Sequence, residues 1–279
     1  SRDEVRSIAK QATDDIVSAL LERLTQASAV TPGAAAPLGR AELIDAPDDI
    51  AEFNRFFFER GWSDGLPVIP PRPDLVERML RHSRRAPGEF VAAMPPSGTA
   101  TVEAIAINAV MAGCYPEYLP VLIAAVEAMG EKQFKLGFVQ NTIHPTTTWL
   151  IVNGPIAQRL KINGGVNCFG PGTWANATLG RALRLIALNI GGGLPGEVDP
   201  STHGNPGKFL MCCAENVAAS PWEPLHVERG FAPDASTVTV IAAKSLLGFL
   251  THTHDIDDFI KVIGNTMMSP TGSEYRSGG

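Results

Sequence analysis

The sequence predicts a mixed fold, with α-helices and β-strands in layers around one sheet and an amphipathic helical arm in front. After residue 134, four short runs have strand-like composition, and helical segments near Ile156 to Leu160 and Ala177 to Asn189 alternate with them. Such alternation is typical of α/β or α+β layers built on one sheet. The four runs are FKLGFVQ, TTWLIVN, FLMCCA and STVTVIAA.

The first 45 residues predict an arm rather than a part of the layered domain. Apolar residues recur at helical spacing between residues 3 and 27, opposite a charged face. The stretch from Ala29 to Pro37 is rich in Ala, Pro and Gly, which is typical of a flexible linker. We therefore assign residues 1–45 to an arm and linker, and residues 46–279 to a single catalytic domain whose C-terminal end we expect to be truncated. The arm either docks on another subunit, which predicts a homo-oligomer, or packs on its own domain.

Helices are also predicted in the first half of the domain and at its end. Successive prolines between Gly61 and Pro71 predict extended chain there, because proline disfavours helix at its own position and at the one before. Asp74 is expected to cap the short helix that runs to Leu80. The predicted helices cover residues 48–60, 74–80, 101–112, 119–129 and 256–268.

Composition excludes several classes of protein. The chain has 279 residues, of which 44% are hydrophobic and 19% are charged, as in an ordinary packed protein. A net charge of -6 without a concentrated basic face argues against a nucleic-acid partner. No apolar run is long enough to cross a bilayer and no secretory signal is recognisable, so we expect a cytoplasmic protein without a membrane partner. The four cysteines form no disulfide framework, and reduced thiols are expected.

The stretch from Asn141 to Arg181 places polar residues and glycines in loops between apolar segments. Loops supported by rigid elements often carry binding and catalytic residues. His144 and Cys168 are the predicted reacting pair, since a neighbouring positive group lowers a thiol pKa and activates it as a nucleophile. A buried, inert thiol is the alternative. The residues predicted to orient a small-molecule substrate or to hold its charge are Asn163, Asn167, Asn176 and Arg181.

The glycine-rich run from Gly170 to Asn176 leads into a helix that Asn176 is expected to cap. Free N–H groups and the helix dipole at such a start favour a carboxylate or a phosphate. The alternative is a turn that needs Gly and Pro only for its shape. Asp64, beside Trp62 and before the proline run, is a further candidate for substrate binding, with a simple turn residue as the alternative.

A second group of candidates surrounds His203 in a Gly/Pro loop. On the strand that follows, Cys213 and Glu215 share a face, because strand side chains alternate. We predict that His203 and Glu215 take part in catalysis and that Lys208 binds substrate at the same sheet edge. A structural loop with a solvated lysine is the alternative.

His252 and His254 are two residues apart and point the same way in an extended chain, so Asp255 could complete a site for a divalent transition metal. The alternative is that Thr253 or Asp255 caps the helix that begins near Ile256. The sequence contains no nucleotide-binding motif and specifies no other cofactor.

Four phrases, GWSDGLPVIPP, AVMAGCYPEY, GVNCFGPGTWANATLGRA and SPWEPLHVERGF, resemble a poorly characterised bacterial protein family. The resemblance extends over roughly residues 55 to 275. It implies a chain that continues beyond Gly279 and an association with thiol or selenol proteins of the UGSC type. It implies no particular reaction.

From the residues we expect an enzyme that acts on a small polar, anionic molecule by acid–base or thiol chemistry. A lyase or hydrolase fits these residues better than a nucleotide-dependent oxidoreductase. The alternative is a metal-binding or redox subunit of a larger oligomeric complex, with a second subunit or a C-terminal segment as its partner.

Overall fold

The computed structural model describes residues 40–96, 98–244, 246 and 251–267. The predicted helical arm lies outside these residues. The described residues belong to a unit that begins at Gly39. They form nine helices and two small sheets, which confirms the predicted mixed fold. The helices are α1 (Ile50–Glu59), α2 (Pro73–Leu80), α3 (Val102–Ala112), α4 (Leu119–Gly130), α5 (Leu136–Gln140), α6 (Pro155–Arg159), α7 (Trp174–Asn189), α8 (Leu225–Glu228) and α9 (Ile256–Met267).

The main sheet has three strands in the order β4-β3-β5, with β3 in the centre. β3 pairs in parallel with β4 and antiparallel with β5, so that Leu150 lies beside Cys212 and Val240. A separate hairpin joins the first two strands. The strands are β1 (Phe90–Met94), β2 (Gly98–Thr101), β3 (Thr147–Asn153), β4 (Cys212–Ala214) and β5 (Thr237–Ala243).

The core lies between the main sheet and three apolar helices. Leu150 and Val152 of β3 are fully buried on the face that helices cover, and α4 contacts β5 while α7 contacts β3 and β4. α3 and α4 are buried on most of their surface, as predicted. The other face of β3 carries Trp149, Ile151 and Asn153, because strand residues alternate. This outer face of the sheet is where the candidate thiol site lies.

Three local predictions are wrong. Asp74 does not cap α2, since the helix begins at Pro73 with Arg72 at the N-cap position and Asp74 lies in its first turn. FKLGFVQ forms helix α5 instead of a strand, since a short apolar run has too few residues for its period to decide between the two. The helix predicted to begin after Asn176 begins at Trp174, with Thr173 at the N-cap position. Asn176 is therefore inside α7, where it is 2% exposed.

Among the described residues, no helix combines the length and the hydropathy needed to cross a membrane.

Candidate functional site

Cys168 lies in the loop between α6 and α7, and it is the cysteine that reaches the surface. It is partly exposed, whereas Cys114, Cys212 and Cys213 are buried. The loop is built from tight turns: the Cys168 N–H donates to Gly165 O at 3.3 Å, and the Gly170 N–H donates to Asn167 O at 2.9 Å. Asn167 has a positive φ of 61°, which asparagine tolerates better than most residues. Of the two alternatives that the sequence left open, an accessible or a buried thiol, the structure shows a partly exposed one.

Three predicted substrate-binding asparagines hold this loop together. The Asn163 side chain donates to Val166 O at 2.9 Å and accepts from the Gly165 N–H at 2.8 Å. The Asn167 side chain donates to Pro171 O at 2.7 Å. These bonds fix the backbone on both sides of Cys168.

Asn176 joins the loop to α7. Its amide donates to Asn163 O at 2.8 Å and to Cys168 O at 3.0 Å, and its oxygen accepts from the Asn163 N–H at 2.8 Å. Both ends of this buried amide are therefore occupied by the loop backbone. The contacts make Asn176 a positioning residue for Cys168.

The loop rests directly on β4. Ala214 N–H donates to Asn163 O at 3.1 Å. A Cβ atom on Gly164 would lie 2.5 Å from Ala214 O, a backbone atom that cannot turn aside, so only glycine fits at this approach. The contact brings Cys168 to the outer face of the sheet, beside Cys213.

Cys213 is the contact of Cys168 that the sequence did not predict. Cys168 lies near enough to Cys213 to help raise the pKa of the Cys213 thiol. Trp149 of β3 donates its indole N–H to the Cys213 sulfur at 3.3 Å, and its ring meets Phe169 edge-on with centroids 5.5 Å apart. Burial raises the pKa of the Cys213 thiol to about 11, although the bond from Trp149 opposes this shift. Cys213 therefore keeps its proton near neutral pH.

His144 belongs to a different cluster, which is centred on Asp199. Ser201 donates its hydroxyl to His144 O at 3.0 Å and to Asp199 at 2.6 Å. Lys208 reaches both Asp199, at 2.6 Å, and the Ser201 oxygen, at 2.7 Å. Arg184 lies 3.5 Å from Asp199. We refer to Arg184, Asp199, Ser201 and Lys208 as the Asp199 cluster.

The sequence indicated Lys208 but not the residues that surround it. Asp199 and Ser201 occur in a Pro-containing turn, and such turns use Asp and Ser for local hydrogen bonds in very many proteins. His203 lies in the same loop and is exposed. The position of Lys208 just after this loop indicated that its side chain could lie near the loop. That position does not identify the carboxylate with which Lys208 pairs.

Asp64 and Arg181 meet, although they are far apart in the chain. The Arg181 guanidinium donates to both carboxylate oxygens of Asp64, at 2.9 and 2.8 Å, and also to the carbonyls of Leu66 and Pro67. The side chains are 14% and 2% exposed. This buried pair attaches the loop after α1 to α7. It also neutralises the positive charge of Arg181, which we expected to hold the charge of a substrate.

Glu215 follows β4 at its carboxyl end. It accepts a short hydrogen bond from the Asn153 amide and another from the Leu225 N–H at 3.0 Å. Lys208, Cys213 and Glu215, which we expected to flank His203 together, thus have three different sets of partners. β4 itself separates Lys208 from Glu215.

His252 and His254 are exposed in the segment before α9. Asp255 accepts from the Asp258 N–H at 3.0 Å and so caps this helix, which is the alternative that the sequence left open. In the part of the chain that the structure describes, no group of three His, Cys, Asp or Glu side chains could hold a metal ion.

A cavity of about 780 Å³ lies at the other end of α7. Residues 40–48 form one wall, while Phe53, Phe57 and Met111 supply apolar surface and Glu103 and Asn108 supply polar groups. Asn189, the last residue of α7, also lines it, whereas Asn176 in the first turn contacts the Cys168 loop. A helix of 16 residues spans about 24 Å, so the cavity and the thiol site are separate.

The described lining residues of this cavity include none of the candidates chosen from the sequence. The cavity could not be foreseen because its walls come from segments that are far apart in the chain.

Comparison with known proteins adds no identification: no family profile, no curated protein and no solved structure matches the chain.

Proposed function

We propose that the protein is an enzyme that acts on a small polar molecule through the thiol of Cys168. The observation that supports this most is the construction of the Cys168 loop. Three asparagines and a glycine contact with β4 fix the backbone around a thiol that remains partly exposed. A nucleophile needs this combination of a fixed position and access to its substrate.

The neighbouring Cys213 supports the same role. Because Cys213 is buried and protonated near neutral pH, it does not compete with Cys168 for a substrate, so Cys168 is the thiol that reacts first. The described contacts of His144 are made by its backbone, whose carbonyl accepts from Ser201, and they do not join it to Cys168.

The charge expected of the substrate has less support than the thiol chemistry. Arg181 is paired with Asp64, and Lys208 is paired with Asp199. Neither cation is left for an anionic substrate, so we propose a small polar molecule without specifying its charge. The alternative of a metal-binding subunit has no described cluster of ligands to support it.

The experiment is a burst assay with p-nitrophenyl acetate, a small acyl donor that marks reactive thiols. The wild-type protein should release a rapid burst of about one p-nitrophenolate per chain while Cys168 becomes acetylated. Cys168→Ser should abolish the burst, whereas Cys212→Ala should retain it, since Cys212 is buried on the helix-covered side of β4. A burst that persists in Cys168→Ser would show that another group reacts, and the proposal would then be wrong.

A further inference from the structure

Cys168 and Cys213 are the two thiols that the fold brings into contact across the outer face of the main sheet. Cys213 pairs with Ile151 in the β-ladder, so its side chain lies on the same face as Trp149. The Cys168 loop packs against this face through Gly164 and through the Phe169 ring. Neither thiol is bonded covalently, and Cys168 lies near enough to Cys213 to help raise the pKa of that thiol.

The two thiols differ in the way that an attacking and a resolving cysteine differ. Cys168 is partly exposed and can meet a molecule from solution, whereas Cys213 is 6% exposed and can meet only what is attached to Cys168. The indole N–H of Trp149 points at the Cys213 sulfur, where it can stabilise the negative charge that appears when this thiol loses its proton.

We propose that Cys168 and Cys213 form a dithiol pair that exchanges with low-molecular-weight disulfides. This inference rests on the proposed role of Cys168 as the reactive thiol and adds a substrate class and a second reacting residue. A disulfide is the substrate class that two thiols can reduce without any cofactor, because both electrons come from the thiols themselves.

The reaction takes two steps. The Cys168 thiolate attacks one sulfur of a disulfide RS–SR, the S–S bond breaks, and RS⁻ leaves to take up a proton. Cys213 then attacks the Cys168 sulfur of the mixed disulfide, its proton passes to the solvent or to the leaving group, and the second RS⁻ departs. The products are one Cys168–Cys213 disulfide and two RSH, so the protein loses two electrons and two protons to the substrate.

The test uses 2,2′-dithiodipyridine as the disulfide, with release of pyridine-2-thione followed by absorbance and the protein followed by intact mass. The wild-type chain should release two equivalents in the fast phase and retain no adduct. Cys213→Ala should release one equivalent and keep a pyridyl adduct on Cys168. Cys212→Ala is the matched control, because it changes the adjacent residue on the opposite face of β4, and it should behave as the wild type does.

The outcomes separate the two proposals. A stable adduct on Cys168 in the wild-type chain would overturn the dithiol pair but leave Cys168 as a reactive nucleophile. Absence of fast reaction at Cys168 would remove the basis of both. Should Cys213→Ala fail to fold, peptide mapping of the oxidised wild-type chain still decides: the expected result is a disulfide-linked peptide containing Cys168 and Cys213, and its absence overturns the inference.

Discussion

Asp199 is the carboxylate around which the charged cluster is organised. Burial alone would raise its pKa, but the hydrogen bonds from Lys208 and Ser201 and the charge of Lys208 outweigh burial and lower the pKa below its usual value of 3.8. A carboxylate with a lowered pKa stabilises the folded state at pH values above its unfolded pKa. This contribution is lost as the pH falls through the folded pKa.

Asp199→Asn should therefore destabilise the protein near neutral pH, and it should destabilise the protein less at acid pH. We expect a loss of about 2–4 kcal/mol at neutral pH, since Lys208 and Arg184 would be left without their partner, and a difference from the wild type that shrinks as the pH falls below 3.8. Urea unfolding at neutral pH and at a series of acid pH values measures this. Asp74→Asn, which alters an exposed carboxylate near Arg78, is the control and should have little effect. A difference that stays constant down to acid pH would contradict the assigned pairing.

The role of a single residue could be predicted from the sequence where its contacts lie close to it along the chain. The accessibility of Cys168 and the cap at Asp255 depend on nearby turn and loop residues, and the sequence offered each as one of two alternatives. The partners of Cys168 and Lys208 lie far from them along the chain, so the thiol contact with Cys213 and the salt bridge to Asp199 required the fold. Arg181, which we expected to hold the charge of a substrate, pairs instead with Asp64, a residue far away in the chain.

Gly180 and Gly264 both lie inside helices, but a side chain added at Gly180 would meet the backbone of another segment, whereas one added at Gly264 would not. A Cβ on Gly180 of α7 would lie 2.5 Å from Met211 N and 3.1 Å from Leu210 C, in the chain that leads into β4. A Cβ on Gly264 of α9 would meet nothing within 4 Å.

We expect Gly180→Ala to cost about 1–3 kcal/mol of unfolding free energy, since the backbone would have to shift. Gly264→Ala should instead stabilise α9 by up to about 1 kcal/mol through helix propensity. Thermal unfolding of both variants, monitored by circular dichroism, gives the sign of each effect. Equal effects would mean that α7 does not approach the chain before β4 so closely.

The pair of Asp64 and Arg181 joins two elements that have no sequence proximity. Arg181→Ala leaves a carboxylate with a 2% exposed side chain without a partner, and should cost about 3–5 kcal/mol in denaturant unfolding. Arg78→Ala removes an exposed ion pair within α2 and should cost at most about 0.5 kcal/mol. If the two variants were equally stable, Arg181 would be free to bind a ligand after all.

Long periodic segments could be predicted as elements, while short ones could not. The helices at 48–60, 101–112 and 119–129 correspond to α1, α3 and α4, because several turns of apolar spacing define their faces. α5 has five residues, and the short helix α8 and the β1-β2 hairpin gave no signal that we recognised. Their conformation depends on tertiary contacts such as the Gln140 amide, which donates to Pro95 O at 2.8 Å.

The large cavity is a property of the whole described chain, since it combines residues 40–48 with α1, α2, α3 and the end of α7. Because the cavity is separate from Cys168, a molecule that binds in the cavity would not shield this thiol from a reagent. A ligand search that measures protection of Cys168 from a thiol reagent therefore finds ligands of the Cys168 site alone.

α9 presents an exposed apolar stripe, on a different segment from the arm on which the prediction of a homo-oligomer was based. Ile256, Ile260 and Met267 are 67%, 59% and 76% exposed, and Ile263 lies between them on the same helix face. Exposed apolar stripes of this kind are typical of surfaces that associate, because association removes them from water. The prediction of an oligomer is therefore testable through this helix.

If copies of the chain associate through α9, Ile260→Glu should raise the dissociation constant at least about tenfold, because it removes an apolar contact of about 1.5–3 kcal/mol and introduces a charge. Asn265→Glu adds the same charge on the polar side of the helix and should leave association unchanged. Sedimentation velocity over a range of concentrations distinguishes these outcomes. Equal weakening by both variants would indicate a charge effect rather than a contact of the stripe. A wild-type chain that stays monomeric throughout would show that the predicted oligomer is wrong.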